Sequence, residues 1–297
     1  MQPHHTTFQA MGSPCQLLIY ADSTAQASAL SRAAQAAVAR LEQRYSRYRT
    51  DSVLSHINRS AGDPAGIEVD AETAALLDYA ATCYAQSDGL FDVTAGVLRR
   101  IWDFRQPRLR LPEAAELAAV QALVGWDKLV WRKPWLHLPL AGMELDFGGI
   151  VKEYAADALA TLYRQAGITH GLIDLGGDLH ALGPHPDGQA WQVGIRHPRL
   201  PDALLGQLAL HRGGLASSGD YARCFLLDGQ RYAHILNPKT GWPVRGLASA
   251  SVMAEFCVIA GSASTIAMLH GEQGAEWLAA LGLPYLAMRE NGTVVAL

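Results

Sequence analysis

The chain has 297 residues, 49% of them hydrophobic and 18% charged, enough to bury a substantial core in one large domain or two intimate lobes. Its formal net charge of −4, without a densely basic stretch, excludes a nucleic-acid footprint. Four scattered cysteines (Cys15, Cys83, Cys224, Cys257), none in a CxxC pair, argue against zinc and against a disulfide framework.

The first twenty residues hold no charged start followed by an apolar run, so no signal peptide is expected. The least polar window, Phe256 to Leu269, is shorter than the roughly 18 apolar residues of a membrane span. A cytoplasmic protein with reduced thiols and no membrane partner is the expectation.

In chain order, Cys15 to Tyr20 reads as a strand. Leu30, Ala34, Val38, Leu41 and Tyr45 recur at helical spacing and predict a helix over 23–45. Asp70 is placed to cap a helix over 71–87, which Asp88-Gly89 ends. A short helix is expected through Thr94 to Trp102, then a basic surface loop from Arg105 to Pro112 and a helix to about Val124. Short strands follow at Lys128–Trp131 and Leu136–Leu138. After Asp146 a helix runs to about Gln165, then a strand at Leu172–Leu175. Strands are expected at 191–196, 204–210 and 222–227. Asp228-Gly229 predicts a hairpin joining Arg223–Leu227 to Arg231–Leu236. A strand at 248–254, helices at 260–270 and 273–281 and a last hairpin (Tyr285–Met288, Val294–Ala296) complete the chain. Helices and strands do not alternate regularly, so the expected class is α+β, with mixed or antiparallel sheets and packed helices, rather than a doubly wound sheet.

The segment from Asp146 to Asp157 carries the clearest chemical signal. Gly148-Gly149 lets the backbone approach a ligand, and the following helix start offers free N–H groups and a partial positive charge. Lys152 adds a mobile cation, so a phosphate or diphosphate suits the place; an ordinary strand–turn–helix junction is the plainer reading. Four other clusters stand out. His234, before the turn Asn237-Pro238-Lys239-Thr240-Gly241, suits a general base or a histidine packed on a sheet. Gly176-Gly177-Asp178 ends a strand. Asp92, in Gly89 to Thr94, either caps a helix or hydrogen-bonds a polar ring. Ala260 to Thr265 is rich in small residues and allows close helix packing.

The order of these segments resembles the ApbE family, the FAD:protein FMN transferases. The matching segments are Met11-Gly12, Ser46-Arg47-Tyr48 with Asn58, Leu90 to Thr94, Asp146 to Lys152, Asp174 to Asp178, Ser218 to Tyr221, and His234 to Gly241. The resemblance implies one ApbE-like (T-fold-like) domain over 1–297 that binds FAD. It places Met11, Tyr48, Leu90, Phe91, Asp92, Asp146 and Lys152 at the FAD and gives His234 a catalytic role. The implied reaction moves FMN from FAD to a threonine of an acceptor flavoprotein and releases AMP. Known targets carry an Asp/Ser-Gly-Ala-Thr-type motif; this chain has none, which fits a modifier rather than a target.

The resemblance also implies Mg2+ at the diphosphate, held by the Gly149 carbonyl, Thr265 and an aspartate four residues before it. That last position is Gly261 here. Magnesium usually takes at least one carboxylate, so a weakened metal site is expected. Glu153 stands where the family has glycine, and is either a compensating carboxylate or a solvated surface charge. Asn237 replaces the usual aspartate before proline, keeping the turn and losing a charge. Two alternatives follow: an FAD pyrophosphatase yielding FMN and AMP, and a non-enzymatic FAD-binding protein that has lost the metal.

Overall fold

In the computed structural model, residues 2–104 and 110–297 are described. Strands β1 (Gln2–Ala10) and β2 (Ser13–Ala21) pair antiparallel around Met11-Gly12. Met11 (φ 51°) and Gly12 (φ 71°) are both left-handed, the arrangement of a tight hairpin turn that matches strand twist. Helices α1 (Thr24–Tyr45), α2 (Val53–Arg59) and α3 (Ala71–Gln86) follow, with the two-residue strand β3 (Ile67–Glu68) before α3. Ser23, Ser52 and Asp70 cap them by accepting from backbone N–H groups. The helix expected through Thr94 to Trp102 is a 3-10 helix, Val93–Arg100. Residues 105–109 of the expected basic loop lie outside the described residues.

Next come α4 (Ala114–Gln121), β4 (Val130–Arg132), β5 (Trp135–His137) and α5 (Val151–Gln165). The chain continues through β6 (Gly171–Leu175), β7 (Asp178–Gly183), β8 (Trp191–Arg196), β9 (Leu204–Leu210) and β10 (Gly213–Gly219). It then passes through β11 (Cys224–Leu227), β12 (Gln230–Ala233) and β13 (Leu247–Ala254). Helices α6 (Cys257–His270) and α7 (Gly274–Leu281) precede β14 (Tyr285–Arg289) and β15 (Val294–Ala296). One eight-stranded sheet runs in the order β1-β2-β6-β7-β10-β13-β14-β15, antiparallel at every pairing. The α+β expectation therefore holds.

Alternation along the strands gives the sheet two buried faces. Leu17, Ile19, Ile173 and Val252 join Val38, Leu159 and Ile266 from α1, α5 and α6 in the main core. On the other face Leu179, Leu215 and Leu286 meet Trp191, Ile195 and Leu210 of the β8–β9 ribbon. A third cluster gathers Trp102, Phe225 and Tyr232 beneath the β11–β12 hairpin. There Trp102 Nε1 donates to the Gly241 carbonyl at 2.7 Å, fixing the segment after His234 to the 3-10 helix.

Several elements were not foreseen: β1, β3, β7, β10 and α2. Strand β1 is an edge strand with few large apolar residues. Strand β7 is buried at every position, so it shows no alternation, and β10 is built of Gly, Ala and Ser around one leucine.

Asp157 joins α5 to α6. Its carboxylate accepts from the Cys257 and Val258 N–H groups at 2.8 and 3.0 Å, capping α6 from outside, and meets His180 Nδ1 at 2.6 Å. Asp157→Ala leaves those donors bare and is expected to lower the unfolding free energy by about 1–3 kcal/mol, read from urea denaturation. An unchanged midpoint would show that the cap contributes nothing.

Candidate functional site

The turn before α5 is fastened from three sides. The Asn58 amide donates to the Leu145 carbonyl at 3.0 Å and accepts from the Leu145 N–H at 2.7 Å, so one side chain mimics a strand partner. The Asp146 N–H donates to Val93 O at 2.8 Å, tying the turn to the 3-10 helix. The Asp146 carboxylate accepts from Gly148 N–H at 2.9 Å and pairs with the Arg47 guanidinium. Arg47 also donates to the Tyr48 hydroxyl at 2.9 Å and lies 5.0 Å from that ring's centroid. Burial weakens the Arg47 charge, yet Asp146 outweighs it and holds the guanidinium above its ordinary pKa. Tyr48 itself is 67% exposed, so its ring is free to meet a ligand.

Phe91 is buried, and its ring edge lies 3.4 Å from where a β-carbon on Gly149 would stand, so the glycine lets the two pack closely. Leu90 beside it is half-buried against the main core. Asp92 is a cap: one oxygen accepts from the Thr94 N–H (2.8 Å) and hydroxyl (2.6 Å), the other from the Trp126 N–H (2.9 Å). Burial pushes its carboxyl pKa up against those bonds.

No side chain caps the start of α5. Lys152, in its first turn, reaches Asp178 at 2.7 Å and the Gly176 carbonyl at 3.5 Å. Burial works against the ammonium, but Asp178 prevails and holds its pKa above the usual value. The Gly176-Gly177 turn is closed by the Gly177 N–H donating to Asp174 at 2.7 Å. Ser13, just past the Met11-Gly12 turn, packs against Gly176. Three motifs far apart in sequence thus meet at one end of the sheet.

Glu153 points elsewhere. It is 7% exposed, which removes the reading as a solvated surface charge. Burial, then the nearby Asp178 charge, pushes its carboxyl up to about 8. Its side chain lies against Gly261 of α6. Thr265 Oγ1, one turn farther along α6, is 3.0 Å from Ser218 Oγ, which is also 2.9 Å from Ser264 Oγ. The Ser-Gly-Asp-Tyr segment therefore serves the site through Ser218, while its Asp220 holds the fold in a paired contact with Arg199 (2.6 Å at each oxygen). Cys257 is fully buried with its thiol pKa pushed well up, in keeping with a packing residue.

His234 follows the β11–β12 hairpin, its N–H donating to Arg223 O at 3.0 Å. The residue is exposed at the surface, yet protein atoms crowd the ring closely enough to desolvate it. That crowding, then the charges of Arg223, Arg47 and Lys152, lowers its pKa to about 4, so it stands neutral at pH 7. Arg47 and Lys152 are near enough to act on the ring, which brings His234 into the neighbourhood of the turn before α5. Asn237 keeps the turn as expected, accepting from the Lys239 N–H at 2.8 Å.

Three residues that matter here were not singled out from the sequence. Arg47 was read only as a spacer between Ser46 and Tyr48. Asp178 closed a glycine turn without a named partner, and Asp157 ended the quoted segment without a role. Lys152 and Asp178 lie in different elements, so no spacing rule joins them.

The ApbE family model matches residues 11–287. An FAD:protein FMN transferase of Haemophilus influenzae is 33% identical over 243 residues, covering 77% of this chain and 69% of that protein. One of Salmonella typhimurium is 33% identical over 240 residues, covering 78% and 68%. Among solved structures, the ApbE protein of Thermotoga maritima superposes with a TM-score of 0.90 at 28% identity, over 99% of this chain and 97% of that one. The flavin transferase ApbE of Vibrio cholerae gives 0.88 at 25% identity over the same shares.

In the flavin-free protein, the His234 imidazole signals followed by NMR are expected to titrate near pH 4, and Arg223→Gln is expected to move the midpoint upward. A midpoint near 6.5, the ordinary value, would mean the crowded setting is absent.

Proposed function

Because this chain belongs to the ApbE family, we propose that it is an FAD:protein FMN transferase, acting as one unit over residues 1–297. It moves FMN from FAD to a threonine of an acceptor flavoprotein and releases AMP. The observation that carries this reading is that the Arg47–Asp146 and Lys152–Asp178 pairs flank the turn before α5, with Arg47 and Lys152 near enough to His234 to act on its ring.

Phosphoryl transfer asks chiefly for positioning and for charge set against the phosphate oxygens. Lys152 and the uncapped start of α5 supply positive potential for the diphosphate. Met11, Tyr48, Leu90, Phe91 and Asp92 line the approach for the flavin and adenine parts of FAD, and Asp146 orders the turn beneath it. The threonine hydroxyl attacks the FMN-side phosphorus. A new P–O bond forms, the diphosphate bridge breaks, and AMP leaves with the bridging oxygen. His234, neutral at pH 7, takes the hydroxyl proton at a free ring nitrogen. A bound diphosphate brings negative charge to the ring and strengthens it as a base.

Mg2+ belongs to this reading. Among the described residues no three His, Cys, Asp or Glu side chains cluster to hold a metal, but the implied site needs only one carboxylate. The Gly149 carbonyl and Thr265 hydroxyl are its oxygen donors. The buried Glu153 carboxylate, with Oε2 lacking any hydrogen-bond partner, supports the fit. When bound, the ion would neutralise diphosphate charge. We also place the reaction in the cytoplasm, in keeping with four unpaired cysteines; no helix among the described residues is long and apolar enough to cross a membrane.

The test incubates the protein with FAD, Mg2+ and an acceptor bearing the threonine motif, and follows flavin fluorescence on the acceptor and AMP release. Both products are expected. AMP without labelled acceptor would turn the reading to FAD hydrolysis, and neither product with FAD still bound would leave a flavin-binding protein. His234→Ala is expected to slow transfer by about 10²–10⁴-fold with FAD binding kept; an unchanged rate would remove His234 from the chemistry.

A further inference from the structure

Four carboxylates gather about α5, and three of them already have firm partners. Asp178 pairs with Lys152 at 2.7 Å, and Asp174 accepts from the Gly177 N–H at 2.7 Å. Asp157 accepts from the Cys257 and Val258 N–H groups at 2.8 and 3.0 Å and meets His180 at 2.6 Å. Glu153 differs. It is buried, and its Oε2 has no hydrogen-bond partner. An ionised carboxylate oxygen left bare in the interior is strongly disfavoured, so such an acid holds its proton until something charged or donating meets it.

The direction of the side chain says what could meet it. Glu153 crosses from α5 to α6 into the space over Gly261. A β-carbon on Gly261 would lie 2.5 Å from Glu153 Cγ, 2.7 Å from Oε1 and 2.9 Å from Cδ. A side chain at 261 and the Glu153 carboxylate therefore compete for one volume. Thr265 follows Gly261 by one helical turn on the same face of α6. Its hydroxyl is held by Ser218 at 3.0 Å and keeps a lone pair for a cation. The Thr265 hydroxyl and the Glu153 carboxyl, which both face this part of α6, are oxygen ligands of the kind that a hard divalent cation takes.

We propose that Glu153 is a ligand of the divalent cation in this cleft, its carboxylate supplied from α5 into the volume that an aspartate at 261 would fill from α6. Glycine at 261 is the space that allows it. The inference rests on the reading of the cleft as a diphosphate site. It reverses the expectation of a site short of its carboxylate: the acid has moved to the facing helix.

The test titrates Mn2+ into the protein alone and into the protein with FAD, reading free Mn2+ by electron paramagnetic resonance. Uptake is expected, and Glu153→Gln, nearly the same shape without the charge, is expected to weaken it at least about tenfold. Moving the acid across, with Glu153→Gly and Gly261→Asp together, is expected to restore most of the affinity. Gly261→Ala removes no ligand, but its methyl group displaces the carboxylate, so it too is expected to weaken uptake; this variant decides the matter should Glu153→Gln fail to fold by circular dichroism. Unchanged affinity in Glu153→Gln or in Gly261→Ala, or no uptake by the unaltered protein in either arm, overturns the proposal. Failure to bind FAD with the Mn2+ pattern intact would strike the transferase reading and leave this one standing.

Discussion

The site depends on two adjacent ionisable residues, a half-buried lysine and a buried glutamate, at the start of one helix. Lys152 and Glu153 leave α5 in different directions, and the elements around them answer each in turn. For Lys152 the answer is complete. Asp178 comes from the first residue of β7, and the Gly176 carbonyl from the turn before it, so the ammonium is held where β6 passes into β7. That turn is also where the Met11-Gly12 hairpin packs, through Ser13. One buried cation thus couples the N-terminal hairpin, the centre of the sheet and α5. For Glu153 the protein's own answer is incomplete, because one carboxylate oxygen meets no donor.

Much of the frame was legible from the sequence for a physical reason. Long amphipathic helices such as α1, α3 and α5 repeat their apolar residues at a period that local reading detects. Hairpins with an Asp-Gly turn, such as β11–β12, announce themselves by the turn. Strands without alternation do not: β7, which carries Asp178, is buried at every position, and β10, which carries Ser218, is built of Gly, Ala and Ser around one leucine. The motifs are joined by contacts in the fold, where Asp146 pairs with Arg47, Lys152 with Asp178 and Thr265 with Ser218. Arg47 was hidden because its partner lies 99 residues away in sequence. Glu153 was open to two readings because burial is a property of how α5 meets α6, which no residue spacing on α5 alone can show.

Electrostatics also explains why the histidine and the helix start fit one another. The pKa of His234 is lowered by desolvation and by Arg223, Arg47 and Lys152, so no proton competes for the ring before substrate enters. On the proposed function, a diphosphate at the start of α5 would lie near Lys152 and within reach of the field of these cations. An anion placed among them cancels their effect on the ring, and the histidine's basicity then rises only when there is a phosphorus centre to act on. The Arg47–Asp146 pair links the two halves of this arrangement, since Asp146 orders the turn before α5 while Arg47 faces both Tyr48 and the histidine's surroundings.

The same charges bear on the metal. Around the first turn of α5, Lys152 stands against Asp174 and Asp178 with the buried Glu153 acid beside them, so little positive charge is left over before any ligand arrives. A diphosphate adds more negative charge, and Lys152 is already engaged with Asp178. On the proposed reading, a site built this way takes up a cation together with its substrate, and the Glu153 carboxyl, facing Gly261 one helical turn before Thr265, is where that cation would be held. A buried acid without a partner in the empty fold is then, on the proposed reading, the feature that lets metal and diphosphate bind together, each lowering the electrostatic cost of the other.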